Sequence, residues 1–265
     1  MELTILQQII LGIIQGITEW LPISSSGILA LVMSNLYGIT DLGLLLHAAL
    51  FLHLGTFLAA LIYFRKDVWK LIKTAFNYKR TDNKTRKTFN FIIITTIITG
   101  ILGLLILKIL SSVNLDLTGR AISFIVGFFL LITGIFQIKT KTRGLRKEEN
   151  LKKNDSILLG IAQGFSSLPG LSRSGITIST LLLKKFDDTS ALKLSFLMSL
   201  PVVLIGNIFL NLNDFVLTSA AIYGLLASFV FGLLTISLLI NLSKKINFGW
   251  FVLIFAVLMM ISVVF

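Results

Sequence analysis

The spacing of its apolar runs constrains this chain more than any other feature. Six runs, at about 44–64, 89–107, 121–138, 193–211, 217–241 and 248–265, approach or exceed the ~20 residues that carry a helix across a bilayer. Composition agrees: 55% of the 265 residues are hydrophobic and 14% are charged, where a soluble domain carries roughly 25% charge. Mean hydropathy is +0.92. The chain is therefore expected to be an all-α polytopic membrane protein, a single membrane domain over 1–265. Two further apolar segments do not read as plain spans. Residues 3–33 are interrupted by Gly12, Gly16, Pro22, three serines and Gly27, and residues 156–183 by Gly160, Gly164, Pro169, Gly170 and Gly175.

The basic residues between the runs set the topology. Residues 65–88 hold Arg65, Lys66, Lys70, Lys73, Lys79, Arg80, Lys84, Arg86 and Lys87 against Asp67 and Asp82. Residues 139–155 hold seven Lys/Arg against three acids. Positive loops stay on the cytoplasmic side, so both are expected there, in a multi-pass protein of the cell membrane. The 108–120 loop, with Lys108, Asp116 and Arg120, then lies outside. Lys184, Lys185, Lys193, Lys244 and Lys245 are cytoplasmic only if 156–183 enters and leaves on one face, as a re-entrant hairpin. If 3–33 does the same from the other side, the chain is an inverted-topology repeat of six transmembrane helices and two re-entrant hairpins. Repeat 1 then covers about 1–138 and repeat 2 about 156–265. The residues before 3–33 offer only Glu2 as a charge and no basic leader, so the first apolar segment is expected to stay in the mature protein.

The two interrupted segments are near copies, 148 residues apart. Gln15, Gly16, Ser24, Ser26 and Gly27 fall on Gln163, Gly164, Ser172, Ser174 and Gly175, and Leu11-Gly12 on Leu159-Gly160. Two of the positions that differ bear on chemistry: Glu19 stands opposite Ser167, and Ser25 opposite Arg173, so one copy carries an acid and the other a base. Irregular backbone at membrane depth is tolerated where it lines a cavity, and paired interruptions in matching halves point to a site between the repeats. In each copy a second helix is expected to open near Ser24–Gly27 or Ser172–Gly175. Amides at such helix starts face anions, glycine lets a ligand approach the backbone, and serine hydroxyls cap the helix or bond phosphate oxygens. Arg173 offers a planar fork for phosphate, and Glu19 a carboxylate for a divalent metal or for acid/base chemistry.

A charge at the bilayer centre costs roughly 2.5–3.5 kcal/mol on insertion scales, so Glu19 and Arg173 need a reason to be there. One reason is a shared site; the plainer one is a structural ion pair between the repeats. The serines could likewise be helix caps and nothing more. His47 and His53, the two histidines, are six residues apart and do not share a helical face. Either reads as a hydrogen-bonded interior residue, with His53 the nearer to the polar segment. The absence of cysteine rules out disulfides, thiolate metal sites and a cysteine nucleophile. A net charge of +12 sits mostly in short loops beside apolar runs, which argues for lipid headgroups rather than nucleic acid.

At the two motifs, Gln15-Gly-Ile-Thr-Glu19-Trp-Leu-Pro-Ile-Ser-Ser-Ser-Gly27 and Pro169-Gly-Leu-Ser-Arg-Ser-Gly-Ile-Thr-Ile-Ser179, the chain resembles the undecaprenyl-diphosphate phosphatase (bacitracin-resistance) family. Leu52-His53-Leu54-Gly55-Thr56 and Phe196-Leu197-Met198-Ser199-Leu200-Pro201 are similar to it too. The resemblance implies a hydrolase that removes the terminal phosphate of a polyprenyl diphosphate, recycling a lipid carrier for envelope glycan synthesis, with Mg or Ca as divalent cation. Glu19 would match the essential glutamate and would be the metal ligand. Ser25 would match a nucleophilic or phosphate-binding serine, and Arg173 the phosphate-gripping arginine. Ser24, Ser26, Gly27, Ser172, Ser174, Gly175, Gln15 and Gln163 would line the substrate pocket. Where the family commonly has a catalytic histidine after the first motif's glycine, this chain has Ile28, which leaves His53 as an auxiliary. The alternative is a polyprenyl-phosphate transporter or flippase that binds without hydrolysis. Expected partners are the diphosphate lipid and membrane lipids, with a homodimer left open.

Overall fold

A computed structural model describes residues 3–112, 119–139, 144–168, 170–211, 218–245 and 249–262. Met1, Glu2, Asp116, Pro169 and the 140–143 stretch of the second basic loop lie outside the described residues. The described chain is helical throughout: α1 (Ile5–Thr18), α2 (Ser25–Leu31) with a π-helical turn Val32–Leu36, α3 (Leu42–Tyr63), α4 (Arg65–Phe76), α5 (Asn83–Ser112), α6 (Gly119–Ile138), α7 (Lys153–Phe165), α8 (Arg173–Leu183), α9 (Asp188–Asn211), α10 (Ser219–Lys245) and α11 (Gly249–Ser262). Among the described residues no named strand forms; the nearest thing is a single parallel bridge between Arg146 and Phe186.

Five helices, α3, α5, α6, α9 and α10, are long and apolar enough to cross a membrane. This is a polytopic membrane protein. The last apolar run gives a shorter helix, with 14 described residues. The other departures from expectation are at polar ends. α5 begins at Asn83, ahead of the apolar run, because a helix continues through polar residues when its first turn is capped; Asp82 Oδ1 accepts from the Thr85 amide at 2.9 Å. The basic stretch 65–88 is not a plain loop, since its first half is α4 and its last six residues open α5.

Each interrupted segment is a helix, a break and a second helix. Thr4 starts α1 with a capping box in which its side chain and that of Gln7 satisfy each other's backbone amides. Ser24 and Ser172 cap α2 and α8, accepting from the Gly27 and Gly175 amides at 3.3 and 3.1 Å. The breaks turn differently. In the first, Ser24 itself adopts a left-handed conformation (φ 62°); in the second, Gly170 does (φ 94°).

The glycines shared by α1 and α7 set the packing. Gly12 and Gly16 sit one turn apart on α1 and lie against the α10 backbone; a Cβ on Gly12 would stand 2.1 Å from the Gly224 carbonyl oxygen, and one on Gly16 2.8 Å from the Gly232 nitrogen. Gly160 and Gly164 repeat that spacing on α7 and meet Ile98 and Leu102 of α5. Small residues at i and i+4 let helices approach closely where lipid supplies no hydrophobic drive. So α1 packs along α10 and α7 along α5: each arm lies on a helix from the other half of the chain. Trp20, 1% exposed, fixes the first break by donating to the Gly232 carbonyl at 3.1 Å and packing edge-on against Phe196 of α9. Its removal to alanine would cost about 3–5 kcal/mol.

Candidate active site

The two breaks meet. The Ser174 hydroxyl donates to the Leu21 carbonyl at 3.2 Å, Gln137 of α6 donates to the Pro22 carbonyl at 2.6 Å, and Gly27 approaches Gly170 closely enough that a Cβ would stand 3.2 Å from its Cα. This junction brings Glu19, the cap residue of α1, next to Arg173, the first residue of α8. Arg173 Nη2 donates to Glu19 Oε1 in a direct ion pair.

Glu19 is 6% exposed, and its other oxygen is crowded with donors. Oε2 accepts from Ser25 Oγ at 2.7 Å and from Gln15 Nε2 at 2.9 Å, and it lies 3.2 Å from His53 Nε2. The far side of the His53 ring, Nδ1, is 2.6 Å from the Ala49 carbonyl oxygen. Both ring nitrogens thus face oxygen atoms, which fixes the plane of the ring. Gln15 Nε2 also reaches Thr56 Oγ1 at 3.4 Å. The carboxylate is thereby held by groups from α1, α2, α3 and α8, which fixes its rotamer, and among the described residues no other acid lines the cavity.

Around this cluster is a cavity of about 200 Å³, lined by Glu19, Ser24, Ser25, Ser26, His53, Ser172, Arg173 and Ser174 among its polar residues and by Leu46, Leu50, Leu107, Val202 and Val203 among its apolar ones. A drug-sized ligand needs roughly 300 Å³ or more, so the space suits a small polar group. One arginine nitrogen has no acceptor: Arg173 Nη1 is buried with no hydrogen-bond partner, on a side chain that lines the cavity. An unsatisfied buried donor costs about 1–3 kcal/mol, more when charged, unless something arrives to accept from it.

These helices and motifs match the family described as "Bacitracin resistance protein BacA" over residues 8–261. The chain belongs to that family. A protein named undecaprenyl-diphosphatase from Methanococcoides burtonii is 42% identical over 257 residues, 94% of this chain and 94% of that one. Proteins of the same name from Haloarcula marismortui (35% over 248 residues, 92% of each chain) and Alkaliphilus metalliredigens (34% over 267 residues, 94% of each) are similar along nearly their full lengths.

Within this BacA-family chain, the residues singled out from the sequence do not all face the cavity. Glu19, Ser24, Ser25, Ser26, His53, Gln163, Ser172, Arg173 and Ser174 do. Gly27 and Gly175 turn toward α6 instead: Cβ atoms there would meet Val126 and Gln137 at 3.0 and 2.7 Å, and their amides are taken by the capping serines. They let the hairpins dock on α6 rather than a ligand on the backbone. Gln15 stands behind Glu19 as a positioning group. Its counterpart Gln163 donates to Thr99 Oγ1 at 3.2 Å and has no acid to hold. Ile28 packs into the apolar cluster with Leu29, Met33 and Val126, away from the cavity lining. His53, not a residue at position 28, is the imidazole beside the glutamate. His47 is not part of the lining.

Sequence reasoning missed Thr56, Thr99, Gln137, Ser166, Ser167 and Ser199, which tie the hairpins together or line the cavity. For Thr56, Thr99, Gln137 and Ser199 the signal was a polar residue inside an otherwise apolar run, which in a membrane marks a face turned to protein or to a wet cavity; Ser166 and Ser167 stand within the second interrupted segment itself.

Proposed function

We propose that this chain hydrolyses a long-chain polyprenyl diphosphate, undecaprenyl diphosphate or a similar carrier, to the monophosphate and inorganic phosphate, returning the carrier to envelope glycan synthesis. The observation that carries this reading is the contact of Glu19 with both Ser25 and Arg173 at one cavity wall. It supports reading Glu19 as a base, with Ser25 as a hydroxyl nucleophile and Arg173 as a phosphate grip, each one hydrogen bond from Glu19. The shared name of the relatives supports the same substrate class.

In this mechanism the terminal phosphate displaces Glu19 from part of the Arg173 fork and takes up the idle Nη1, giving a two-point grip. The hydroxyls of Ser172, Ser174 and Ser26 surround the remaining oxygens. Ser25 Oγ passes its proton to Glu19 Oε2 and attacks the terminal phosphorus. The bond from phosphorus to the bridging oxygen breaks, and polyprenyl monophosphate leaves. Water then hydrolyses the phosphoserine, releasing phosphate and restoring the hydroxyl. His53 holds Glu19 Oε2 in register through its Nε2, 3.2 Å away.

The divalent cation implied by the family resemblance does not fit a resident site made by these residues. Glu19 is the one carboxylate in the lining, both its oxygens are occupied by donors, and no group of three His, Asp or Glu occurs among the described residues. A divalent cation therefore belongs with the diphosphate rather than with the resting protein.

The inverted repeat with two re-entrant hairpins is part of the same proposal. It is supported by the exchanged packing of α1 on α10 and α7 on α5, and by the matched caps Ser24 and Ser172. With loops 65–88 and 139–155 cytoplasmic, the cavity occupies the outer half of the protein. Leu46 to Leu50 lie in the first half of α3, and Thr99, Leu107 and Val202 to Gly206 in the second halves of α5 and α9, with His53 and Ser199 at mid-helix, all distant from the basic ends. The test is a phosphate assay with purified protein and undecaprenyl diphosphate. Stoichiometric phosphate and monophosphate are expected, whereas tight lipid binding with no phosphate released would overturn the reading in favour of a transporter.

A further inference from the structure

Helix α4 is divided lengthwise into three faces. Phe64 closes α3 and caps α4, so the helix leaves the end of a membrane span with no linker. One face is fixed to the protein: Thr74 is fully buried, Val68 and Leu71 pack with the cluster around Phe64 and Phe196, and Asp67 pairs with Lys193 of α9 at 2.7 Å. At about 100° per residue, Trp69, Ile72 and Phe76 fall within one narrow stripe on the opposite side. They are 58%, 45% and 83% exposed. Lys66, Lys70 and Lys73 form the sector between, all exposed, and the Lys73 ammonium sits 5.3 Å from the centre of the Trp69 ring. Lys79 and Arg80 continue the positive charge just beyond the helix, also exposed.

We infer that α4 is an anionic-lipid-binding helix lying in the membrane interface, with Trp69, Ile72 and Phe76 among the acyl chains and Lys66, Lys70 and Lys73 on lipid phosphates. Three observations carry this. The apolar stripe begins at the end of a span, where the bilayer surface already is. A separate sector of lysines stands beside it, at the depth of the headgroups. The one acid on the helix, Asp67, is paired inward to Lys193, so the outward charge is uniformly positive. Acidic phospholipid is the occupant whose apolar and charged parts match both sectors together.

The test uses Trp69 as its own probe. In a Trp250→Phe background the remaining tryptophans are Trp69 and the buried Trp20. The protein is placed in phosphatidylcholine nanodiscs containing a small equal fraction of either acyl-brominated phosphatidylglycerol or acyl-brominated phosphatidylcholine. Both should quench Trp69, and the brominated phosphatidylglycerol should quench about twofold more, because lysines concentrate acidic lipid around the helix. Lys66→Gln/Lys70→Gln/Lys73→Gln, all exposed positions, should remove that excess while leaving the basic level of quenching. Equal quenching by the two lipids in the unmutated helix would overturn the lipid selectivity. No quenching by either would overturn the interfacial placement and leave the stripe as a surface for a soluble partner.

Discussion

The two hairpins share a scaffold and differ in what they hold. In the first, the Gln15 amide and Ser25 hydroxyl turn onto Glu19; in the second, Gln163 turns onto Thr99 and the Met198 carbonyl, and the acid's counterpart is Ser167. The first break spends its backbone irregularity on Ser24, a residue at the cavity, whereas the second leaves it to Gly170 and keeps Ser172 in ordinary extended geometry. Copying a hairpin supplies two capped helix starts that meet. Differences between the copies then give one half a carboxylate bonded to a hydroxyl, and the other a guanidinium with one nitrogen that has no acceptor.

That division can be broken most severely at Glu19 and Arg173, which have no like residue in the other copy. Glu19→Gln and Arg173→Ala should each lower phosphate release by about 10²–10³-fold, the range for removing an acid/base group or a transition-state donor. Gln163→Ala, the counterpart of a residue that holds Glu19, should cost less than about tenfold. Equal losses at Gln15 and Gln163 would mean that the halves are not specialised. Next in size is Ser25→Ala, which should abolish a phosphoserine trapped by acid quench with terminally labelled substrate, while Ser26→Ala leaves it. His53→Asn should reduce the rate by about tenfold, because its contact orients the carboxylate but does not reach phosphate in the mechanism proposed. Ile28→His should not raise the rate, since position 28 is packed among Leu29 and Met33.

Smaller effects fall on stability. Gly170→Ala forces a Cβ to 2.8 Å from the Val126 backbone at a φ that L-residues rarely adopt, and should destabilise by about 1–3 kcal/mol in a thermal or denaturant assay. Ser24→Gly should be near neutral or slightly stabilising in the same assay, because its left-handed backbone suits glycine, although the cap bond to Gly27 is lost. Mn²⁺ titrated into the substrate-free protein and followed by electron paramagnetic resonance should show no stoichiometric site. Tight one-to-one binding abolished by Glu19→Gln would contradict the assignment of the cation to the substrate.

Much of this was legible in the sequence because a membrane makes a few features expensive. Charges inside apolar segments, and Gly/Pro interruptions at matched positions, singled out Glu19, Arg173 and the capping serines. What could not be read was direction. A span that is apolar on all sides gives no periodicity to orient it, so nothing indicated that Gly27 and Gly175 would face α6, or that His53 would point at Glu19. The i, i+4 glycines of α1 and α7 were visible as a repeat, but their partners on α10 and α5 depend on tertiary packing. Helix α4 was hidden by its charge: its lysines read as loop, and only its placement against Phe64 and Lys193 shows that they share a helix with a second, apolar face.

The central claim is that one residue from each hairpin acts on the same phosphate, and a double-mutant cycle in phosphate release tests it most directly. Glu19→Gln and Arg173→Lys are made singly and together, in protein that retains its elution volume and melting temperature. Groups acting as a unit predict that the double variant loses little more than the worse single variant. Losses that simply multiply would mean that Glu19 and Arg173 work independently, and would contradict the account.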